Sequence, residues 1–133
     1  MGEQQAMEEL APATCWALLA EAEVARLAVV VDSAPEVFPV NHAVLGSRVL
    51  IRTAAGTKLF AAVGRDVALE VDGVDDGRAW SVVAKGTAVE VEDEAGVREA
   101  DERLDVWLAT PKQHVLAVEV ASLSGRRFPV RLG

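Results

Sequence analysis

Two apolar runs flank a Gly-Ser pair in the stretch VFPVNHAVLGSRVLIRT, which covers residues 37–53. Both runs are rich in Val, Leu and Ile, and a two-residue connection between such runs is typical of a β-hairpin. Pro39 cannot donate a hydrogen bond to a neighbouring strand, which indicates a sheet edge or a bulge. The stretch therefore predicts two antiparallel strands, over residues 37–44 and 49–53.

Apolar segments with strand patterns continue on both sides of this hairpin. Residues 66–72 alternate between apolar and polar side chains, as half-buried strands do. The remaining predicted strands are 27–31, 79–91 with a bend or bulge at Gly86, 115–123, and 128–132, the last two joined at Ser124-Gly125. Turns or loops are predicted at 32–35 and 73–77, and helices at 12–20, 57–63 and 93–106, with Asp93 as the N-cap of the last. Short connections between six or seven strands favour a mainly antiparallel barrel.

The composition predicts a single domain over residues 1–133, in which residues 1–9 form a polar, flexible tail. The net charge of −8 argues against binding to nucleic acid or to an anionic membrane surface. The longest apolar runs are far shorter than the roughly 18 residues that span a bilayer. Cys15 is the only cysteine and is predicted to be a core residue, which fits a reducing, cytoplasmic compartment.

A phosphate-binding pattern follows the hairpin. Arg52 and Thr53 end a predicted strand, and Thr57 and Lys58 open a predicted helix after a turn of small residues. Arginine binds phosphate through a planar fork, lysine adds a point charge, and a helix N-terminus adds oriented N–H donors. These residues are therefore candidates for an anion site on an otherwise acidic chain.

The sequence offers few groups for chemistry by the protein itself. We find no Ser-His-Asp or Cys-His pattern, and no carboxylate pair placed for a pocket. His42 and His114 lack neighbouring ligands at metal-binding spacing, so no metal site is expected. The catalytic residues stay unassigned, and redox chemistry carried by a cofactor is favoured over hydrolysis.

Several motifs occur in an order that resembles a known family. They are Val37-Phe38-Pro39-Val40-Asn41, Ile51-Arg52-Thr53, Gly56-Thr57-Lys58-Leu59, the strand at 67–72, and Trp80-Ser81 with the residues up to Gly86. Together they resemble the pyridoxamine 5'-phosphate oxidase-like family of flavin-binding split β-barrels, especially its short actinobacterial-type members. The resemblance covers roughly residues 15–130.

The resemblance implies a six-stranded antiparallel split β-barrel with Greek key topology and a few short helices. It also implies a homodimer with two flavin mononucleotide (FMN) sites between the subunits. It assigns four cofactor-binding residues to the phosphate: Arg52, Thr53, Thr57 and Lys58. It places Pro39, Val40 and Asn41 on the strand that lies along the ring. It gives Trp80 and Ser81 as the positions that reach the flavin from the partner subunit.

The resemblance leaves the reaction open. The vitamin B6 oxidases carry C-terminal substrate-binding Arg and His residues, and we find no match to them around residues 125–128. Arg126 and Arg127, with Arg131, either pair with carboxylates or meet an anionic substrate. The prediction is an FMN-dependent oxidoreductase acting on a small molecule. A deazaflavin-dependent reductase and a non-catalytic flavin- or haem-binding protein are the alternatives.

Overall fold

The computed structural model of the protein describes residues 7–54, 57–104 and 113–130. The tail predicted at residues 1–9 lies outside these ranges except for its last three residues. The strands are β1 (Glu8–Glu9), β2 (Val24–Val31), β3 (Ala34–Leu45), β4 (Arg48–Ala54), β5 (Asp66–Asp75), β6 (Arg78–Val91) and β7 (Gln113–Pro129). The helices are α1 (Pro12–Glu21), α2 (Glu94–Arg103) and a 3-10 helix over Phe60–Ala62.

Six of these strands close into a ring in which every neighbouring pair is antiparallel. The order around the ring is β2-β3-β4-β7-β6-β5, and β5 returns to β2. The two-residue strand β1 adds to the free side of β7. The prediction of a mainly β, six-stranded antiparallel barrel is confirmed, with β1 as a short seventh strand.

The inner face of the ring is an aliphatic core. Val67, Leu69 and Val71 are all at most 5% exposed, which confirms the alternation predicted for β5. Cys15 and Leu19 of α1 belong to the same buried cluster, so Cys15 is the core residue that the sequence predicts. Burial of each large aliphatic side chain stabilises the fold by roughly 1.5–3 kcal/mol.

Helix α2 covers part of the outer face. Ala100 and Leu104 pack with Leu50, Val91 and other residues of β4, β6 and β7 in a second apolar cluster. Asp93 caps the helix, since its Oδ2 accepts a hydrogen bond of 2.8 Å from the Gly96 N–H. The predicted helix therefore starts where expected and ends at Arg103; residues 105–106 lie outside the described ranges.

Removal of this cap gives a direct test of the α2 assignment. Asp93→Ala leaves a helix N–H group without its side-chain acceptor and should lower the free energy of unfolding by about 1 kcal/mol. Urea denaturation measures the change, and Asp93→Asn, which retains a capping oxygen, should stay close to the wild type. An unchanged stability in Asp93→Ala would contradict the cap.

Two connections are tighter than the sequence predicts. β2 and β3 are joined by Asp32 and Ser33, whose φ values are 52° and 65°. The predicted loop at 73–77 is wrong, because β5 continues to Asp75 and only Asp76 and Gly77 form the turn. Asp76 and Gly77 have φ values of 51° and 70°, as type I′ hairpin turns require, so the Asp-Gly pair was the relevant signal.

The last predicted connection is also wrong. Residues 113–129 form one continuous strand rather than two strands joined at Ser124-Gly125. A Cβ at Gly125 would lie 2.6 Å from the Cys15 Sγ, so this glycine permits close packing of α1 on β7 rather than a turn. Residues 131–132 of the predicted final strand, and Arg131 with them, lie outside the described ranges.

The bulge predicted at Gly86 is present. The β6–β7 register shifts between Lys85 and Gly86. A Cβ on Gly86 would overlap the backbone carbonyl of Glu119. The extra residue of the bulge is Ala121 of β7, between the partners of Lys85 and Gly86, and the glycine lets the two backbones approach beside it.

Candidate functional site

The hydroxyls of Thr53 and Thr57 meet at the end of β4. Their Oγ1 atoms are 2.9 Å apart, and the Thr57 Oγ1 also accepts a hydrogen bond of 3.2 Å from the Phe60 N–H. Thr53 is only 6% exposed. Two of the four residues predicted to bind phosphate are thus brought together at one end of the barrel.

The helix predicted over residues 57–63 is wrong: only Phe60–Ala62 is helical, as a single 3-10 turn. The chain is fixed to β6 immediately afterwards, because Gly64 N donates to Ala88 O and Ala88 N donates to Arg65 O. Gly64, with φ of 81°, ends the turn as predicted. So short a turn does not supply the helix dipole expected at Thr57.

Arg52 lies on the opposite face of β4 from Thr53. Its Nη2 pairs with the Oδ1 of Asp101 on α2. The Arg52 side chain is 17% exposed and that of Asp101 is 57% exposed. Helix α2 therefore holds the guanidinium at the outer rim, one residue from the hydroxyl pair.

Lys58 follows Thr57 and is far more accessible, with 72% of its side chain exposed. Its Nζ lies 3.5 Å from the Oε2 of Glu36 at the start of β3. Each predicted phosphate-binding cation therefore has a carboxylate partner in the folded chain, and the two partners lie on different elements.

The strand predicted to lie along the cofactor ring is β3. Residues 34–41 pair with β2, whereas the β3–β4 ladder covers residues 42–45, so Pro39 lies beside an edge as predicted. Val40 is 4% exposed and belongs to the core. The Asn41 Nδ2 donates to the Glu23 carbonyl oxygen at 3.4 Å. Asn41 and Arg52 each lie one residue beyond the His42–Ile51 pair, which places both at the same end of this ladder.

The other predicted residues form a second group on β6 and β7. Trp80 pairs with Arg127 and Ser81 with Arg126 across the two strands. Ser81 and Arg126 line a cavity of about 340 Å³. Trp80 lies against Gly73, where a Cβ would approach its ring to 2.8 Å.

Within one chain, this second group of residues lies far from the Thr53–Thr57 hydroxyl pair. Thr53 pairs with His114 near the start of β7, whereas Ser81 pairs with Arg126 near its end. The twelve residues of β7 between His114 and Arg126 span about 40 Å along the strand. The two groups of predicted residues therefore occupy opposite ends of β7.

The sequence prediction missed a side-chain pair beside the hydroxyls. The Nδ1 of His114 lies 2.6 Å from the Oε2 of Glu90, and the His114 ring centroid is 4.8 Å from that of Phe60. Glu36 and Asp101 were missed as well. Each of these contacts joins residues far apart in the chain, so only the barrel register reveals them. Within the described ranges we find no cluster of three His, Cys, Asp or Glu residues suited to a metal ion.

The outer face of β2 and β3 carries an apolar groove that the sequence prediction also missed. Val30 and Val37 are 57% and 62% exposed. With Ala28, Pro35 and Ala68 they line a cavity of about 490 Å³. None of these groove residues belongs to the apolar cluster that α2 covers.

His42, next to Asn41 on β3, has a ring nitrogen 2.7 Å from the Leu19 carbonyl oxygen. Burial lowers the pKa of His42 from 6.5, against the smaller opposing effect of this hydrogen bond. The folded state therefore favours the neutral ring, and the unfolded chain binds a proton first as the pH falls. The stability that this site contributes is complete above pH 6.5 and is lost from there towards the lowered pKa.

The expected result is a stability loss on acidification that depends on His42. Between about pH 7.5 and about pH 5.5, the urea midpoint of the wild type should fall further than that of His42→Gln. An equal fall in both proteins would contradict the assignment of this histidine as neutral in the folded state.

No helix in the described part of the chain is long and apolar enough to cross a membrane. The closed antiparallel barrel, the short helices and the hydroxyl pair at the barrel end define a small split-barrel protein. A protein-family model described as pyridoxamine 5'-phosphate oxidase matches residues 11–127. The chain belongs to this family.

The chain is also similar to solved structures and to curated proteins. The FAD binding protein of Mycobacterium smegmatis is 38% identical with a TM-score of 0.85, and the match covers 93% of this chain and 100% of that one. A conserved protein of unknown function from Corynebacterium diphtheriae is 35% identical, with a TM-score of 0.79 over 92% of this chain and 98% of that one. An uncharacterised protein of Mycobacterium tuberculosis is 35% identical over 119 residues, which are 84% of this chain and 78% of that protein.

Proposed function

We propose that the chain is a flavin-dependent oxidoreductase that binds FMN and acts on a small organic molecule. The observation that carries the proposal is the Thr53–Thr57 hydroxyl pair, 2.9 Å apart, with Arg52 and Lys58 adjacent to it in the chain. The similarity to an FAD binding protein at 38% identity supports a flavin rather than another phosphate ligand. FAD and a deazaflavin are the alternative cofactors.

The residues present fit the phosphate end of such a cofactor. Hydroxyls donate to phosphate oxygens, and the two cations can supply charge-assisted hydrogen bonds after exchanging their carboxylate partners. Lys58 is exposed enough to move, and Asp101 is exposed enough to release Arg52. A bound anion would therefore replace Asp101 as the partner of Arg52 and Glu36 as the partner of Lys58.

The open part of β3 fits the ring of the cofactor. Val40 is buried in the core, so its side chain supports the strand and its backbone is the part available to a ligand. The Asn41 amide lies at the same ladder end as Arg52 and can exchange its 3.4 Å bond with Glu23 for a ring heteroatom. The flavin itself supplies hydride transfer, and the protein binds and orients it.

The proposal includes a homodimer. Trp80, Ser81, Arg126 and Arg127 lie near the far end of β7 from Thr53, so they can reach the same cofactor only from a second subunit. The groove around Val30 and Val37 is an exposed apolar face of the kind that a second copy buries. A small-molecule substrate would then meet Arg126 and Arg127 beside the cofactor.

Flavin titration tests the proposal. The purified protein should quench the fluorescence of added FMN, and the bound flavin should be reduced by a nicotinamide donor without air and reoxidised in air. Failure to bind FMN, FAD and a deazaflavin would refute the proposal. Binding without reduction would support the second candidate, a non-catalytic flavin-binding protein, which the similarity to a protein described by FAD binding alone favours. The single buried thiol, Cys15, supports a reducing, cytoplasmic location.

The Arg52–Asp101 ion pair leads to a separate prediction about FMN affinity. Asp101→Asn removes the carboxylate that competes with phosphate for Arg52, so FMN affinity should rise by up to about fivefold. Riboflavin, which lacks the phosphate, should bind as before. Glu99→Gln is the matched control, because Glu99 pairs with Arg103 on the same helix. A fall in FMN affinity in Asp101→Asn would contradict the competition.

A further inference from the structure

Three neighbouring strands change from apolar to polar at the same end of the barrel. On the inner face of β4, Ile51 is followed by Thr53; on β6, Ala88 is followed by Glu90; on β7, Leu116 is preceded by His114. Ile51, Ala88 and Leu116 are fully buried. Thr53, Glu90 and His114 therefore form a polar opening at this end of the aliphatic core.

Contacts connect this polar opening to the Thr53–Thr57 hydroxyl pair. His114 is the register partner of Thr53, and directly opposed residues of an antiparallel pair have Cβ atoms about 4.5–5.5 Å apart. The His114 ring contacts the Phe60 ring, and the Phe60 N–H donates to Thr57. His114 thus adjoins both threonines, one by strand pairing and one through Phe60.

We propose that His114 is a further ligand for the phosphate of the cofactor and that Glu90 is its positioning residue. This inference rests on the proposed function. The Glu90 Oε2 lies 2.6 Å from the Nδ1, which fixes the ring orientation and leaves the Nε2 for a ligand. The Nε2 donates to an anion when both ring nitrogens carry a proton. The two side chains are 34% and 24% exposed, so a ligand can reach them.

The charges around His114 favour this role. Glu90 of β6 is the described carboxylate that contacts the ring. The facing residues of β4 and of the 3-10 helix, Thr53 and Phe60, do not titrate near neutral pH. Lys58 follows Thr57 in the segment between β4 and the 3-10 helix, and it adds a further positive charge near the site. His114 therefore adds a polar group on the inner face, while Arg52 lies on the outer face.

The test compares FMN with riboflavin in His114→Gln, Glu90→Gln and wild type. His114→Gln should weaken FMN binding by at least about tenfold and leave riboflavin unchanged, because the hydrogen bond from the imidazole to the phosphate is lost. The ratio of FMN affinity to riboflavin affinity is the readout, because a merely structural change would lower both affinities together.

Glu90→Gln, which keeps an oxygen acceptor for the ring, should retain most of the preference for FMN, and Glu90→Ala should lose it. A merely structural role would change FMN and riboflavin affinity together and would not separate the two variants in their ratio. His42→Gln is the matched control and should retain the wild-type ratio. If His114→Gln does not fold, the imidazole signal of His114 in wild-type NMR spectra should shift on addition of FMN and not of riboflavin.

The outcomes separate the two claims. A wild type that binds neither flavin would overturn the proposed function and this inference with it. A wild type that prefers FMN, together with a His114→Gln variant that retains the same preference, would overturn this inference alone. Equal losses of FMN and riboflavin affinity in His114→Gln would also overturn it, because they indicate a structural role.

Discussion

The double variant Arg52→Ala with Lys58→Ala should weaken FMN binding by about a hundredfold or more. Charge-assisted hydrogen bonds contribute about 1.5–3 kcal/mol each, and two are removed. The net binding free energy that these bonds contribute in the wild type is smaller than their sum, because phosphate must displace Asp101 from Arg52 and Glu36 from Lys58. Fluorescence titration with FMN and riboflavin measures the effect, and riboflavin affinity should stay nearly constant.

A single-charge control for this variant is Arg103→Ala. Arg103 is a solvent-exposed arginine on the same helix as Asp101, and its Nε pairs with Glu99 at 2.7 Å. Its removal changes the net charge by one unit without touching the hydroxyl pair. The phosphate assignment is refuted if the double variant binds FMN as tightly as the control does.

Gly86→Ala should destabilise the fold by about 3 kcal/mol or more. The new Cβ would overlap the Glu119 carbonyl oxygen, which is backbone and cannot rotate away as a side chain does. The bulge between Lys85 and Gly86 would have to open, and the β6–β7 ladder is the longest pairing in the barrel. Urea denaturation, or loss of soluble protein on expression, measures the change.

The control for this effect is Gly46→Asn. Gly46 lies in a turn with φ of 62°, and no atom lies within 4 Å of a Cβ placed there. Asparagine adopts this conformation more easily than most residues, so the change should cost about 1 kcal/mol or less. A Gly86→Ala variant that is as stable as Gly46→Asn would contradict the close backbone approach at the bulge.

Much of the barrel is predictable from sequence because its strands have clear local patterns. The alternation in β5, the Gly46-Ser47 turn and the Asp93 cap are all readable within a few residues, and each is present. The errors concern glycines. Gly125 was interpreted as a turn residue, but it is needed for contact with Cys15, a residue far away in the chain. Local sequence does not distinguish a glycine for turning from a glycine for packing.

The candidate site was predicted less completely, for the same reason. Thr53 and Thr57 were identified from one short motif, and the structure brings them together. The carboxylates on Arg52 and Lys58, and the His114–Glu90 pair, arise from the register of strands and from the position of α2. Such contacts have no signal in a nine-residue window. Of the helix expected at Thr57 only the 3-10 turn over Phe60–Ala62 forms, before Gly64 is hydrogen-bonded to β6.

Native mass spectrometry of the purified protein, mixed in turn with FMN and with riboflavin, tests the central claim most directly. The account predicts a species of two chains that carries two FMN molecules, and far lower occupancy by riboflavin at the same concentration. A protein that takes up neither flavin, or both equally, would contradict the phosphate site formed around Thr53 and Thr57.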